Sequence, residues 1–255
     1  MAKKRQDFQQ IHQIAQQTFG YERLRPGQQE VIAAVINGKD TLAVMPTGSG
    51  KSAIYQIAAL LLPGATIVIS PLLALQHNQV QSITEQDIAS AAAINSAISD
   101  LERQDTLANL KSKKLEFLFL APEQFNNEEI LTKLVKAKPS LFVVDEAHCI
   151  SERGHDFRTD YLKLGAIIES LGHPTVLALT ATASPIVQDE IIERLGMRDS
   201  RIFVRGFDRP NIWLGVQTFH EKTEKQNAFF KEMIAVNKPG IVYAATPGQT
   251  HLKYS

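Results

Sequence analysis

Two short strings carry most of the chemistry in this chain: Met45-Pro46-Thr47-Gly48-Ser49-Gly50-Lys51-Ser52 and Asp145-Glu146-Ala147-His148. Glycines at 48 and 50 let the loop's backbone N–H groups, with those of Thr47 and Ser49, turn inward around a β-phosphate. A helix expected from about Ser52 to Leu62 adds the positive end of its dipole. Lys51 supplies a mobile ammonium for β- and γ-phosphate oxygens, and the Ser52 hydroxyl can coordinate Mg²⁺. A Gly-Ser turn between a strand and a helix is the plainer reading, and the Lys-Ser that follows argues for the phosphate loop. Asp145 ends the apolar run Leu141-Phe142-Val143-Val144, so its carboxylate emerges at a sheet edge where it can hold Mg²⁺ opposite Ser52. Glu146 is then the candidate to orient and deprotonate an attacking water, with His148 beside it. An acidic pair after a strand can also simply open a helix; its pairing with the glycine loop favours catalysis.

These strings need a scaffold that brings them to one edge. Apolar runs recur at Thr41 to Val44, Thr66 to Ile69, Ala91 to Ile94, Phe117 to Leu120, Leu141 to Val144 and Thr175 to Leu179, separated by segments with helical spacing. Helices are also expected over Phe8 to Phe19 and Gly27 to Ile36. The alternation predicts an α/β fold, a doubly wound parallel sheet with helices on both faces. The Gly, Asp, Pro and Asn of Gly206 to Asn211 read as a connector. The expected organisation is residues 1–205 as the nucleotide-binding domain, 206–211 as connector, and 212–255 as the incomplete start of a second domain. That second part offers strands at Ile212 to Val216 and Ile241 to Ala244 around a helix from Glu221 to Val236, too little for an independent core of ordinary size.

With 255 residues, 44% of them hydrophobic, the chain can bury a sizeable core. Lys and Arg total 27 and Asp and Glu total 27, so no global positive field announces a nucleic acid and any DNA contact must be local. Cys149 is the single cysteine, which excludes an internal disulfide and a cysteine-cluster zinc site and fits a reducing, cytoplasmic setting. The amino terminus lacks an apolar targeting core and no run approaches membrane-spanning length, so no membrane partner is expected.

In this order the elements resemble the amino-terminal motor lobe of RecQ-family ATP-dependent DNA helicases, over residues 8 to 245. The most specific match is Asp145-Glu146-Ala147-His148-Cys149-Ile150-Ser151, continuing to Gly154-His155-Asp156-Phe157-Arg158 and Tyr161, which is similar to the family's acidic motif and aromatic-rich loop. Phe19-Gly20-Tyr21 and Leu24-Arg25-Pro26-Gly27-Gln28 resemble its adenine-recognition motif. There Tyr21 can stack on a purine, Gln28 can meet the adenine edge and Arg25 can contact the base; without the resemblance the same residues make an ordinary Pro-Gly turn. Val68 to Leu75 resembles the motif that holds DNA backbone, with Ser70 as a phosphate donor or, alternatively, a helix cap. Leu179-Thr180-Ala181-Thr182-Ala183 resembles the motif coupling hydrolysis to lobe movement. Its hydroxyls can link to Glu146 or His148, or Thr182 or Ser184 can cap the next helix.

The resemblance implies a RecA-like P-loop NTPase lobe using ATP and Mg²⁺, and a partner of single-stranded or partly duplex DNA traversed 3′ to 5′ in recombination and repair. DNA contact or coupling falls to Ser70, Arg153, His155, Phe157, Arg158, Thr180 and Thr182. Met45 stands where the strict phosphate-loop pattern has glycine, which matches the variant loop of helicase-type motors, and two positions depart from the family: Glu152 stands at a glutamine and Arg153 at a tryptophan. Arg153 can itself stack on a base or bind phosphate. No second lobe with its arginine finger, worth on the order of a thousandfold or more in turnover, and no zinc module follow. The expectation is a truncated or frame-shifted product that binds ATP better than it hydrolyses it.

Overall fold

In a computed structural model describing residues 2–152, 156–206 and 215–236, the chain divides into one unit to Phe207 and another from Asp208. The first unit opens with helices α1 (Ala2–Phe19) and α2 (Gln28–Ile36). Strands and helices then alternate: β1 (Thr41–Val44), α3 (Lys51–Leu61), β2 (Thr66–Ile69), α4 (Leu73–Glu85), β3 (Ala91–Ile94), α5 (Asp100–Lys111), β4 (Phe117–Leu120) and α6 (Glu128–Ala137). They continue with β5 (Leu141–Val144), α7 (Leu164–Ser170), β6 (Thr175–Thr180), α8 (Pro185–Leu195) and β7 (Arg201–Val204). The seven strands form one parallel sheet in the order β3-β4-β2-β5-β6-β1-β7, the doubly wound architecture that the sequence predicts.

Successive strand residues point to opposite faces, and here both faces are apolar. Leu42, Val44, Ile67, Ile69, Leu118, Leu120, Phe142, Val144, Val176 and Ala178 pack on one side with α5 to α8. Ala43, Val68, Phe117, Phe119, Leu141, Val143, Leu177 and Leu179 pack on the other with α1 to α4. Unbroken apolar runs are the signature of strands covered twice, which is why five of the predicted strands match to the residue. The sixth, Thr175 to Leu179, extends by one to Thr180.

β7 was not among the predicted strands. It is a four-residue edge strand beside β1, with Ile202 and Val204 about half exposed, so burial imposes no clear pattern on it. In the second unit, the expected helix is α9 (Lys222–Val236). Residues 215–219 have no regular structure. Positions 212–214 of one expected strand, the strand Ile241 to Ala244, and 207–211 of the connector lie outside the described residues.

Candidate active site

The strand order explains how the two strings meet. β1 and β5 both pair with β6, one on each side, and all three end at the same edge of the sheet. The glycine loop leaves β1, Asp145 leaves β5, and Thr180 closes β6 between them. Adjacent strands are separated by about 4.8 Å, so the loop and Asp145 stand roughly 10 Å apart across Thr180, room for a phosphate chain and a cation.

Gly48 and Gly50 both sit at φ 80, in the left-handed region that glycine enters without steric cost. Gly50 precedes α3 with no side-chain cap, so the helix's first amides are not claimed by a neighbouring side chain. Lys51 Nζ donates to the Met45 carbonyl at 3.2 Å, back across the loop. Ser49 Oγ is buried without a hydrogen-bond partner among the described residues. Uncapped helix amides, left-handed glycines, an orphaned hydroxyl and a lysine suit a triphosphate.

The region read as an adenine site braces this loop. Gln28 is buried; its Oε1 accepts the Arg25 N–H at 2.8 Å, and its Nε2 donates to the carbonyls of Ser49 at 3.1 Å and Gly50 at 2.9 Å. The Arg25 guanidinium donates to the Gly48 carbonyl. A methyl group on Gly50 would stand 2.5 Å from Gln28 Nε2, which shows how tightly the two fit. Gln28 therefore spends its amide on the loop in this conformation rather than presenting it outward. Tyr21 is 40% exposed and stacks on Phe19 with centroids 5.6 Å apart, leaving ring surface for a base.

Asp145 and Glu146 are both partly buried. Asp145 Oδ1 accepts the Glu146 N–H at 3.0 Å. Burial, reinforced by the Glu146 charge, pushes its pKa up to about 6; the Glu146 N–H, Lys51 and His148 pull the other way. A carboxylate so poorly compensated gains from a divalent cation. Among the described residues no three His, Cys, Asp or Glu side chains group as a metal site. Ser52 and Asp145 can still suit Mg²⁺, which commonly takes one or two protein oxygens and completes its shell with phosphate and water.

Glu146 occupies the left-handed region at φ 48. His148 Nδ1 lies 2.9 Å from Thr180 Oγ1 and 3.3 Å from Glu146 Oε2. Thr180 Oγ1 donates to the Thr182 carbonyl at 3.0 Å and accepts the Thr182 N–H at 3.3 Å. With the Thr180 proton so committed, His148 Nδ1 is the donor to Thr180. The expected tie from Thr180 to His148 is thus present, whereas Thr182 takes part through its backbone. Ser184, not Thr182, caps α8.

The residues read as contacting DNA are less uniform. Ser70 is 2% exposed and its Oγ is buried without a partner among the described residues, so the hydroxyl is not displayed to a phosphate. Nor is Ser70 a helix cap: α4 starts after Leu72 with no side-chain cap, a correction to that alternative. Gln76 instead donates to the Ser70 carbonyl at 2.7 Å. Arg158 is exposed and donates to the Pro71 carbonyl at 3.3 Å, while Phe157 is half-buried. Arg153 and His155 lie outside the described residues.

Sequence reasoning assigned no role to the Tyr161 hydroxyl, which donates to the Asp145 carbonyl at 3.0 Å. It also missed a polar bridge between α3 and α4, where Gln79 Oε1 accepts from Tyr55 OH at 3.0 Å and Gln56 Nε2 at 3.1 Å. No local pattern marks either; the partners are distant in sequence.

Residues 25–191 match the model of the DEAD/DEAH box helicase family. A probable ATP-dependent DNA helicase RecS of Bacillus subtilis is 42% identical over 92% of this chain and 47% of its own. An ATP-dependent DNA helicase RecQ of Haemophilus influenzae is 38% identical over 90% of this chain and 37% of its own. The chain thus spans about half or less of these curated relatives. Among solved structures, the Hef helicase domain of Pyrococcus furiosus matches with a TM-score of 0.55 at 23% identity, covering 73% of this chain and 39% of that one. The helicase MrfA bound to DNA matches with a TM-score of 0.64 at 18% identity, over 77% and 29%. Both show the fold alone. No helix among the described residues is long and apolar enough to cross a membrane.

Proposed function

This chain belongs to the DEAD/DEAH box helicase family, and from that premise we propose that it is the ATP-hydrolysing lobe of a RecQ-type DNA helicase, coupling hydrolysis to 3′ to 5′ movement on single-stranded DNA and to duplex unwinding in recombination and repair. The observation that carries this reading is the convergence of the glycine loop and Asp145 on strands flanking β6, in a chain whose relatives are named as ATP-dependent DNA helicases.

In this reading the loop from Thr47 to Gly50 and Lys51 hold the triphosphate, with Tyr21 against the base and Arg25 and Gln28 setting the loop. Ser52 and Asp145 hold Mg²⁺, which when bound neutralises charge on the β- and γ-phosphate oxygens. Glu146 takes the proton of the attacking water. His148 and Thr180, with Thr182, relay the state of that site to neighbouring elements, while Arg153, His155, Phe157 and Arg158 meet DNA. Ser70 serves DNA only after its hydroxyl is uncovered.

A second reading is that these 255 residues alone bind ATP, and DNA weakly, without unwinding. It is favoured by the share of the relatives' length that the chain spans. Steady-state ATP hydrolysis with and without single-stranded DNA, with Glu146→Gln as blank, separates the two. DNA-stimulated turnover above the blank supports a competent motor; ATP binding without it supports a half-motor.

A further inference from the structure

Glu146, assigned above as the base, has its backbone in a conformation that L residues seldom adopt, φ 48. The peptide joining Asp145 to Glu146 is held on both sides. Its N–H is taken by the Asp145 carboxylate at 3.0 Å, and its carbonyl accepts the Tyr161 hydroxyl at 3.0 Å. Before it, Asp145 N donates to the Ile69 carbonyl at 2.9 Å; after it, the Glu146 carbonyl accepts the Cys149 N–H at 2.9 Å and the short 3-10 helix Ala147–Ile150 begins. Of these anchors, Tyr161 alone is a side chain from outside the acidic motif. It is fully buried and sits in a second 3-10 helix, Thr159–Lys163.

The same tyrosine is tied to the segment carrying Phe157 and Arg158. Tyr161 N donates to the Arg158 carbonyl at 3.0 Å, and Arg158 N donates to the Cys149 carbonyl at 2.9 Å. Arg158 Nη1 also reaches the Pro71 carbonyl after β2. Residues 156–158 are thus tied to the acidic motif by two routes, through the backbone of Cys149 to the Glu146 carbonyl and through the Tyr161 hydroxyl to the Asp145 carbonyl; the second alone runs through a side chain.

We propose that Tyr161 is a positioning residue for hydrolysis, its hydroxyl holding the Asp145–Glu146 peptide so that Glu146 keeps its left-handed turn. The proposal rests on the assignment of Glu146 as the base. Positioning acts on the chemical step: a misplaced general base lowers kcat while leaving substrate affinity in place.

The test is Tyr161→Phe, which removes one oxygen and keeps the ring volume that fills the core. Amide hydrogen exchange is followed by mass spectrometry in peptides covering 145–150, β1 and α7. ATP affinity is read with a fluorescent analogue, and turnover is measured with and without single-stranded DNA. The expected result is faster exchange confined to 145–150, ATP affinity within about twofold of the parent, and kcat lower by about tenfold or more. Unchanged exchange at 145–150 overturns the proposal even if the parent chain hydrolyses no ATP. Equally accelerated exchange in α7 and β1 also overturns it, because the hydroxyl would then serve only general packing. If the parent hydrolyses ATP, an unchanged kcat overturns it while leaving Glu146 as the base. Failure of the parent reading is seen separately, as equal ATP affinity in the parent and Lys51→Ala.

Discussion

Two aspartates stand at opposite ends of the same sheet, Asp40 buried and Asp145 partly buried, and their surroundings differ in kind. Asp40 lies just before β1, at the amino edge. Its carboxylate accepts the Val176 N–H at 2.8 Å, the Arg198 N–H at 2.6 Å and His173 Nε2 at 2.9 Å, while its carbonyl accepts the Arg201 N–H at 2.8 Å. One residue thereby ties the starts of β6, β1 and β7 together. Asp145, at the carboxyl edge, is offered one backbone N–H and carries a pKa pushed up to about 6. Donors arranged around the first make it a fastener. The shortage around the second leaves affinity for a cation, so stability and activity pull in opposite directions there.

The sharpest way to break this comparison is to neutralise the acidic pair. Glu146→Gln should abolish ATP turnover, at least a hundredfold below the parent, while ATP affinity stays close to it; retained turnover would remove Glu146 from its role. Neutralising the fastener should do the reverse. Asp40→Asn replaces acceptor capacity with an NH₂ group facing donors and should cost about 3 kcal/mol of folding stability in a urea titration, leaving ATP affinity at 25 °C unchanged. A loss below about 0.5 kcal/mol would deny Asp40 that structural weight.

The pH dependence sharpens the contrast. The Asp145 carboxyl ordinarily titrates at 3.8 and is raised to about 6 in the folded protein, so the native state binds its proton more tightly. Its contribution to stability is present below about pH 4 and is lost as pH rises through 6, a loss of up to about 3 kcal/mol. Mg²⁺ needs the ionised form, so Mg²⁺-dependent ATP binding should strengthen over that window. Asp145→Asn should erase both trends, which urea titrations at pH 4 to 7 would show. The smallest effect belongs to the base-side residues. Gln28→Ala should weaken ATP and GTP alike by about fivefold through the loop it braces, whereas Tyr21→Ala should weaken ATP more than GTP; competition titrations distinguish them.

How much of this was legible depended on whether the signal was local. Leu141 to Val144 and Phe117 to Leu120 announced buried strands because two covering layers make every position apolar, and the glycine loop and acidic tetrapeptide each compress their chemistry into a few neighbours. β7 was missed because an exposed edge imposes no such pattern. The Asp40 fastener joins residues more than 130 positions apart, and Tyr161 reaches Asp145 across 16, so neither has a spacing to read. Ser70 and Gln28 show a further limit: residue type suggested what they can bond to, and only packing decided that Ser70 would be enclosed and Gln28 turned onto the loop.

The central claim, that the carboxyl edge is built to take Mg²⁺ with ATP, is tested most directly by titrating the chain and Asp145→Asn with a fluorescent ATP analogue, each with and without Mg²⁺. The account predicts that Mg²⁺ tightens binding to the parent by about tenfold or more and does little for the variant. An equal response to Mg²⁺ in both proteins would contradict it.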